Sequence, residues 1–297
     1  MKLKLLLSFL MIHLLTAAQT NQFMIYSMKG QVMVNESGKE TKAKVGQLLD
    51  PNASLDVGNN SIITLICNQL NLFSINKKGK HVLTSYKDSC YKNNGSFTGN
   101  YLKYVWAQMS HKQESPTKNR KLFMNTIGAV SRSVNNIWID PRLDTIIYAD
   151  GYFPLAWKSY AEADRFDFYM YDNISKGKVL FADSTADMQV ALNTLQHIFK
   201  PGYYFWSAAV KGQQNEERKV IKIVTKEERD ALIKQLINIV PAYESEAETA
   251  FRLGFQLEEA HYLADAYQYY QKAATLQPDQ PVYRQTFMSF KKDYDIK

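Results

Sequence analysis

The side chains best suited to chemistry are few and scattered. Five histidines occur, His13, His81, His111, His197 and His261. A hydrolytic zinc site on a helix needs two histidines one turn apart, as in HExxH, and none is so placed. Cys67 and Cys90 lie far apart with only His81 nearby, a poor set of zinc ligands. Glu258 and Glu259 sit beside His261, a pattern that could move protons, but acids there more simply solvate a helix face. No Gly-x-Ser-x-Gly elbow is present for acyl transfer. Lys77-Lys78-Gly79-Lys80 lacks the upstream glycine that a phosphate-cradling loop requires. Carboxylates are plentiful, yet none shows the paired pattern of a glycosidase. The expectation is a non-catalytic chain, with no catalytic, cofactor-binding or metal-binding residue to name.

Charge points the same way. The formal net charge is +7, and loss of Lys2 and Lys4 with an N-terminal leader would lower it to +5. The densest basic run, Lys112 to Lys121, is interrupted by Glu114, Ser115, Pro116 and Thr117 and reads as a solvated loop. Tyrosines fall in strand and helix patterns with no basic–aromatic interleave, so nucleic acid is not an expected partner.

The elements that would position any site begin with a leader. Lys2 and Lys4 precede the apolar run Leu5 to Leu15, and Thr16-Ala17-Ala18 offers small residues for cleavage, the form of a secretory signal peptide. Residues 1–18 are expected to be removed after Ala18, leaving a soluble, exported protein, periplasmic or secreted. In that setting Cys67 and Cys90 could pair or serve as two separate structural cysteines, and the sequence leaves both open.

Residues 23–97 read as short strands. Val32 and Val34 alternate onto one face, Leu48-Leu49, Leu55 and Val57 follow, and the run Ile62 to Ile75 is apolar and β-branched. Gly38, Gly46, Gly58, Asp50-Pro51 and Asn59-Asn60 mark turns. This order, with its Leu55-x-Val57-Gly58-x-x-Ser61 stretch, resembles the FecR-type periplasmic β domain of bacterial envelope proteins. The resemblance implies turns at the Gly and Ser and no catalytic residues.

Residues 98–142 read as a connector. Tyr101, Leu102, Val105, Trp106 and Met109 share one face of a short helix, the basic loop follows, and Asp140-Pro141 marks a boundary. Residues 143–224 read as a second β domain, with strands at Ile146–Tyr148, Leu155–Lys158, Phe166–Tyr171, Lys178–Phe181, Tyr203–Val210 and Val220–Val224. Phe166, Phe168 and Met170 alternate with Asp167 and Tyr169. Together with Leu155-Ala156-Trp157-Lys158 and Pro201-Gly202-Tyr203-Tyr204-Phe205-Trp206, this is similar to the immunoglobulin-like, fibronectin-III-like modules of secreted proteins. There a Trp and alternating aromatics fill a sandwich core. A carbohydrate platform is the alternative use for such aromatics.

Residues 226–297 read as helical. Ser245 and Glu248 form a capping box, and Ala250, Leu253, Gly254 and Leu257 follow on one face. Leu253, Gly254, Leu257, Ala266, Tyr270, Ala273 and Pro278 fall at the offsets of the 34-residue tetratricopeptide pattern, with Ala250 in place of its opening Trp. The stretch Glu246 to Pro281 resembles a tetratricopeptide repeat (TPR). Such repeats bind proteins, which implies a groove on the first helix with Arg252, Gln256 and Glu259 exposed. One repeat cannot bury its own apolar faces. Flanking helices, opened by Thr225–Glu228 and by Pro281, supply part of the cover, and the rest must pack on the preceding domain, a second copy or a partner.

The expected architecture is thus β then α: a small N-terminal β domain, an Ig-like sandwich and C-terminal TPR-like hairpins. The expected role is that of an envelope interaction or scaffold protein with protein partners. A sensory protein relaying through the FecR-like domain and a surface glycan-binding protein are the alternatives.

Overall fold

The computed structural model describes residues 22–68, 71–91, 95–110, 120, 136–175, 177–238 and 243–297, with backbone alone at 95–98. The leader 1–18, most of the basic run, the stretch Ile127–Arg132 and the helix end at Val240-Pro241 lie outside the described residues. The chain divides into two compact units, Met1–Asn93 and Asn94–Lys297.

In the first unit, eight strands form two four-stranded sheets. β1 (Phe23–Lys29), β4 (Leu48–Leu49), β6 (Ile62–Cys67) and β7 (Asn71–Ile75) lie in the order β4-β1-β6-β7. β2 (Val32–Glu36), β3 (Lys39–Lys42), β5 (Ser54–Val57) and β8 (Gly79–Val82) lie in the order β3-β2-β5-β8. Val32, Val34, Leu55, Val57, Ile63 and Leu65 meet in one core, as the period-2 alternation requires. A 3-10 segment, Leu83–Tyr91, closes the unit. There Cys90 forms a disulfide with Cys67, with a Cα–Cα distance of 5.3 Å, and both residues are buried. The Gly-x-x-Ser stretch has a local cause. Ser61 Oγ accepts from Gln31 N at 2.9 Å and donates to Asn59 O at 3.1 Å, so one hydroxyl joins two strand connections. Gly30, at φ +84°, lies so close that a Cβ would stand 2.3 Å from Ser61 Oγ.

The second unit opens with α1 (Gly95–Ser110) and continues into a sandwich of one five-stranded and two two-stranded sheets. One sheet orders β10 (Thr145–Tyr148), β17 (Lys219–Ile223), β16 (Gly202–Val210), β13 (Phe166–Tyr171) and β14 (Val179–Thr185) as β10-β17-β16-β13-β14. β10 runs parallel to β17 and the other pairs are antiparallel. Facing it, β11 (Pro154–Ala156) pairs with β15 (Gln189–Ala191), and β12 (Lys158–Ser159) pairs with β9 (Ile137–Trp138). Phe168 and Met170 are fully buried, and Phe168 stacks on Trp157 and Trp206 with centroids 6.1 and 5.9 Å apart.

Four helices end the chain: α2 (Lys226–Asn238), α3 (Glu246–Glu259), α4 (Leu263–Leu276) and α5 (Pro281–Asp293). Strands in several sheets followed by helices make the layout β then α. The helices share the second unit with the sandwich. Ile147 N donates to His261 O at 2.9 Å, and Tyr294 packs edge-on against Phe153 at 5.6 Å. Among the described residues, no helix is long and apolar enough to cross a membrane.

Candidate functional site

The helix on which the sequence placed a groove is α3. Ser245 Oγ accepts from Glu248 N at 3.3 Å and Glu248 Oε2 accepts from Ser245 N at 2.6 Å, completing the capping box. Gly254 lets the next helix approach: a Cβ there would stand 2.8 Å from Tyr270 Cδ1. Arg252 and Gln256, expected to be exposed, are instead 1% and 0% exposed, and Glu259 is half-buried. The correction has a physical cause. The apolar period of α3 marks one face, but four helices enclose it. On one side α1 brings Tyr101 and Tyr104 onto Phe255, at 5.7 and 4.9 Å, and Tyr104 reaches Thr286 Oγ1 at 3.0 Å. On another, Tyr283 of α5 lies 4.6 Å from Phe251. The face that would receive a partner peptide is filled by the chain's own aromatic helix. The aromatic content of 101–106 was the available signal, since so large an apolar face demands a partner.

Polar groups drawn into such a helix must be paired. Arg252 donates from Nε and Nη2 to Glu244, each at 2.8 Å, and from Nη1 to Leu236 O at 2.9 Å and Gln256 Oε1 at 3.0 Å. It therefore caps one carbonyl in the last turn of α2, that of Leu236. Gln256 Nε2 is buried with no hydrogen-bond partner among the described residues.

The trio Glu258, Glu259 and His261 is separated. Glu258 points into the core, where Arg120 pairs with it and the hydroxyls of Tyr270 and Tyr294 donate to it at 2.9 and 3.2 Å. Arg120 also pairs with Asp293, which Arg142 approaches at 3.2 Å. Burial, then the Glu258 charge, holds both tyrosines well above the usual phenol range. Glu259 turns to α1 and accepts from Asn100 at 2.5 Å, and burial raises its pKa against that bond. His261 occupies the turn between α3 and α4 at φ +64°, and burial lowers its pKa. His81 is also held in place: Nε2 donates to Lys77 O at 2.7 Å and Nδ1 hydrogen-bonds with Tyr86 OH at 2.7 Å. His197 Nδ1 lies 3.1 Å from Thr194 O, while His13 and His111 fall outside the described residues. Lys77-Lys78 carries the chain from β7 of one sheet to β8 of the other, which begins at Gly79, so this is a strand-to-strand crossover and not the strand-to-helix passage of a phosphate loop.

Two open features remain. Where the sandwich meets α2, a groove of about 320 Å³ is lined by Tyr148, Asp150, Gln196, Phe199, Lys200 and Lys226. At its edge Arg229 reaches Asp150 at 2.5 Å and Asp265 at 3.3 Å, and Lys226 reaches Asp150 at 2.8 Å. Burial raises the Asp150 pKa, but Lys226 and Arg229 outweigh it and the net shift is down. Asp265 goes the other way: burial outweighs Arg229 and pushes it up to about 6. The second feature is the outer face of the five-stranded sheet. Tyr169 and Tyr171 alternate out of the core with ring centroids 6.1 Å apart, and Tyr171 stands opposite Phe205 in register. Tyr203 continues the row at 60% exposure, and the Arg218 guanidinium covers Tyr171 at 3.6 Å. The alternating aromatics thus divide, one set packing the core and the other forming a surface row.

No protein-family model matches the chain, and no curated protein matches it.

Proposed function

We propose that this chain is an exported, non-catalytic interaction protein of the cell envelope that engages protein partners through a TPR-like helical end. The observation that carries the reading is the array α2–α5. It is centred on a capped helical pair whose axes approach through Gly254 and Ala266, and further helices extend it on both sides. Stacked helical hairpins of this kind present extended surfaces to partners. With the α3 face filled, the contact surface lies on the outward side chains. Ile237, Leu276 and Met288 are 45%, 43% and 57% exposed, and each comes from a different helix. The FecR-like order of the first unit supports a second role, signal relay through a membrane-crossing partner.

The test is crosslinking and mass spectrometry on intact exporting cells. The wild-type chain is compared with one carrying Ile237→Glu, Leu276→Glu and Met288→Glu. Loss of specific partners with the fold retained is the expected result. An unchanged partner set would sink the assignment to the helices and turn attention to the β domains. A second reading rests on the outer row of Tyr169, Tyr171, Phe205 and Tyr203, which fits the flat apolar faces of sugar rings. Glycan binding lost in a Tyr169→Ala, Tyr203→Ala chain would support it, and wild-type protein that binds no glycan would remove it.

A further inference from the structure

The helices of the second unit differ sharply in how firmly they are held. In α1, Tyr101, Leu102, Tyr104, Val105 and Trp106 are each at most 5% exposed. In α2, Leu236 alone is fully buried, Leu232, Ile233 and Arg229 are half-buried, and the remaining side chains face solvent. The rest of its attachment is polar. At its start Arg229 and Lys226 hold Asp150 of the sandwich, and Arg229 holds Asp265 of α4. At its end Leu236 O accepts from Arg252. A helix of 13 residues is marginal in water without packing. Local opening is cheapest where apolar burial is least. The groups beneath α2 are poorly satisfied as well: among the described residues, Gln256 Nε2 and Asp265 Oδ2 are buried without hydrogen-bond partners.

We propose that α2 is a displaceable strap. It covers the Arg252–Glu244–Gln256 centre of α3 in cis and gives way to an amphipathic helix of a partner whose last carbonyls take the Arg252 guanidinium. This rests on the interaction-protein reading and adds to its outward contacts a second site beneath α2. The partner's chemistry is read from the present occupant: one leucine anchor, a lysine and an arginine one turn apart facing Asp150 and Asp265 with the intervening acids Glu227 and Glu228 turned to solvent, and a carbonyl in the last turn that takes Arg252.

Hydrogen exchange on the full chain tests the strap without any partner. Amides of α2 are expected to exchange by local opening, well before those of α3, α4 and α5. Leu236→Ala should speed exchange in α2 by about 30-fold or more, the lower end of the usual cost of such a truncation, and leave α3–α5 unchanged. Arg229→Gln, a milder change that spares the core, should do the same to a smaller degree. Equal acceleration in all four helices would mean that α2 opens only on global unfolding and would overturn the strap. Docking is tested with a synthetic peptide of residues 226–238. It should lower α2 protection in the wild-type chain as it competes for Arg252, and the same peptide carrying Leu236→Ala should not. No response to either peptide would overturn the docking half. Failure in both measurements, with crosslinked partners still lost in the surface variant, would reject the strap and keep the interaction reading.

Discussion

Asp265→Asn is expected to stabilise the second unit at neutral pH. Asp265 is 3% exposed, and among the described residues its Oδ2 has no hydrogen-bond partner and the cation paired with it, Arg229, stands 3.3 Å away while lying closer to Asp150. Burial therefore wins, and the pKa rises from 3.8 to about 6. A shift of about two units corresponds to about 3 kcal/mol. The sign follows from proton binding. Between the two pKa values the folded state holds a proton that the unfolded state has released, so stability falls as pH rises through this window. Above it the full cost of a buried carboxylate remains. Asparagine cannot ionise and still offers an oxygen to Arg229. The variant should gain about 1–3 kcal/mol over wild type at pH 7.5, the range allowing for a weaker pairing with Arg229. The gain should vanish near pH 3.5. Urea unfolding followed by tryptophan fluorescence reads the buried Trp157 and Trp206 directly. A variant less stable than wild type at pH 7.5, or a difference that does not change with pH, would refute the argument. Either result would mean that the Arg229 pairing outweighs burial and that Asp265 is ionised throughout.

Other perturbations have equally definite outcomes. Removing the Cys67–Cys90 bridge, which spans 23 residues, should cost the first unit about 3 kcal/mol by chemical denaturation and leave the second unit's transition in place. Gly254→Ala should destabilise by about 1–3 kcal/mol although alanine favours helix, because its methyl meets a Tyr270 ring pinned by Glu258; a raised melting temperature would count against that packing. Ser61→Ala should cost about 1–3 kcal/mol in the first unit by urea unfolding, because it leaves Gln31 N without its partner; no change would show that water replaces the hydroxyl.

Local signals were legible where a single element decides the outcome. The Ser245–Glu248 box, the alternation through Phe166, Phe168 and Met170, and the apolar run that became β6 and β7 could all be read from neighbours in sequence. What escaped depends on distant residues. Arg252 and Gln256 look like solvent-facing positions until α1 and α2 close over them. The pairing of Cys67 with Cys90 depends on where the 3-10 segment folds back. Strand β1 gave no clean alternation, because Phe23 through Tyr26 are buried on both faces. Arg120 lies in a stretch that reads as polar loop, yet its guanidinium sits among Glu258, Asp293 and the Phe290 ring, a destination that only the tertiary fold provides.

The five-stranded sheet is asymmetric in a way that limits how molecules could add to one another. At β10 the outer edge is engaged by the α3–α4 turn, through the bond from Ile147 to His261. At the opposite side, among the described residues, β14 carries seven residues with no strand beyond it. A sheet open on one side alone can accept a neighbour only there. If two copies met through β14, each would use up the other's open edge, so growth through this sheet would stop at a pair.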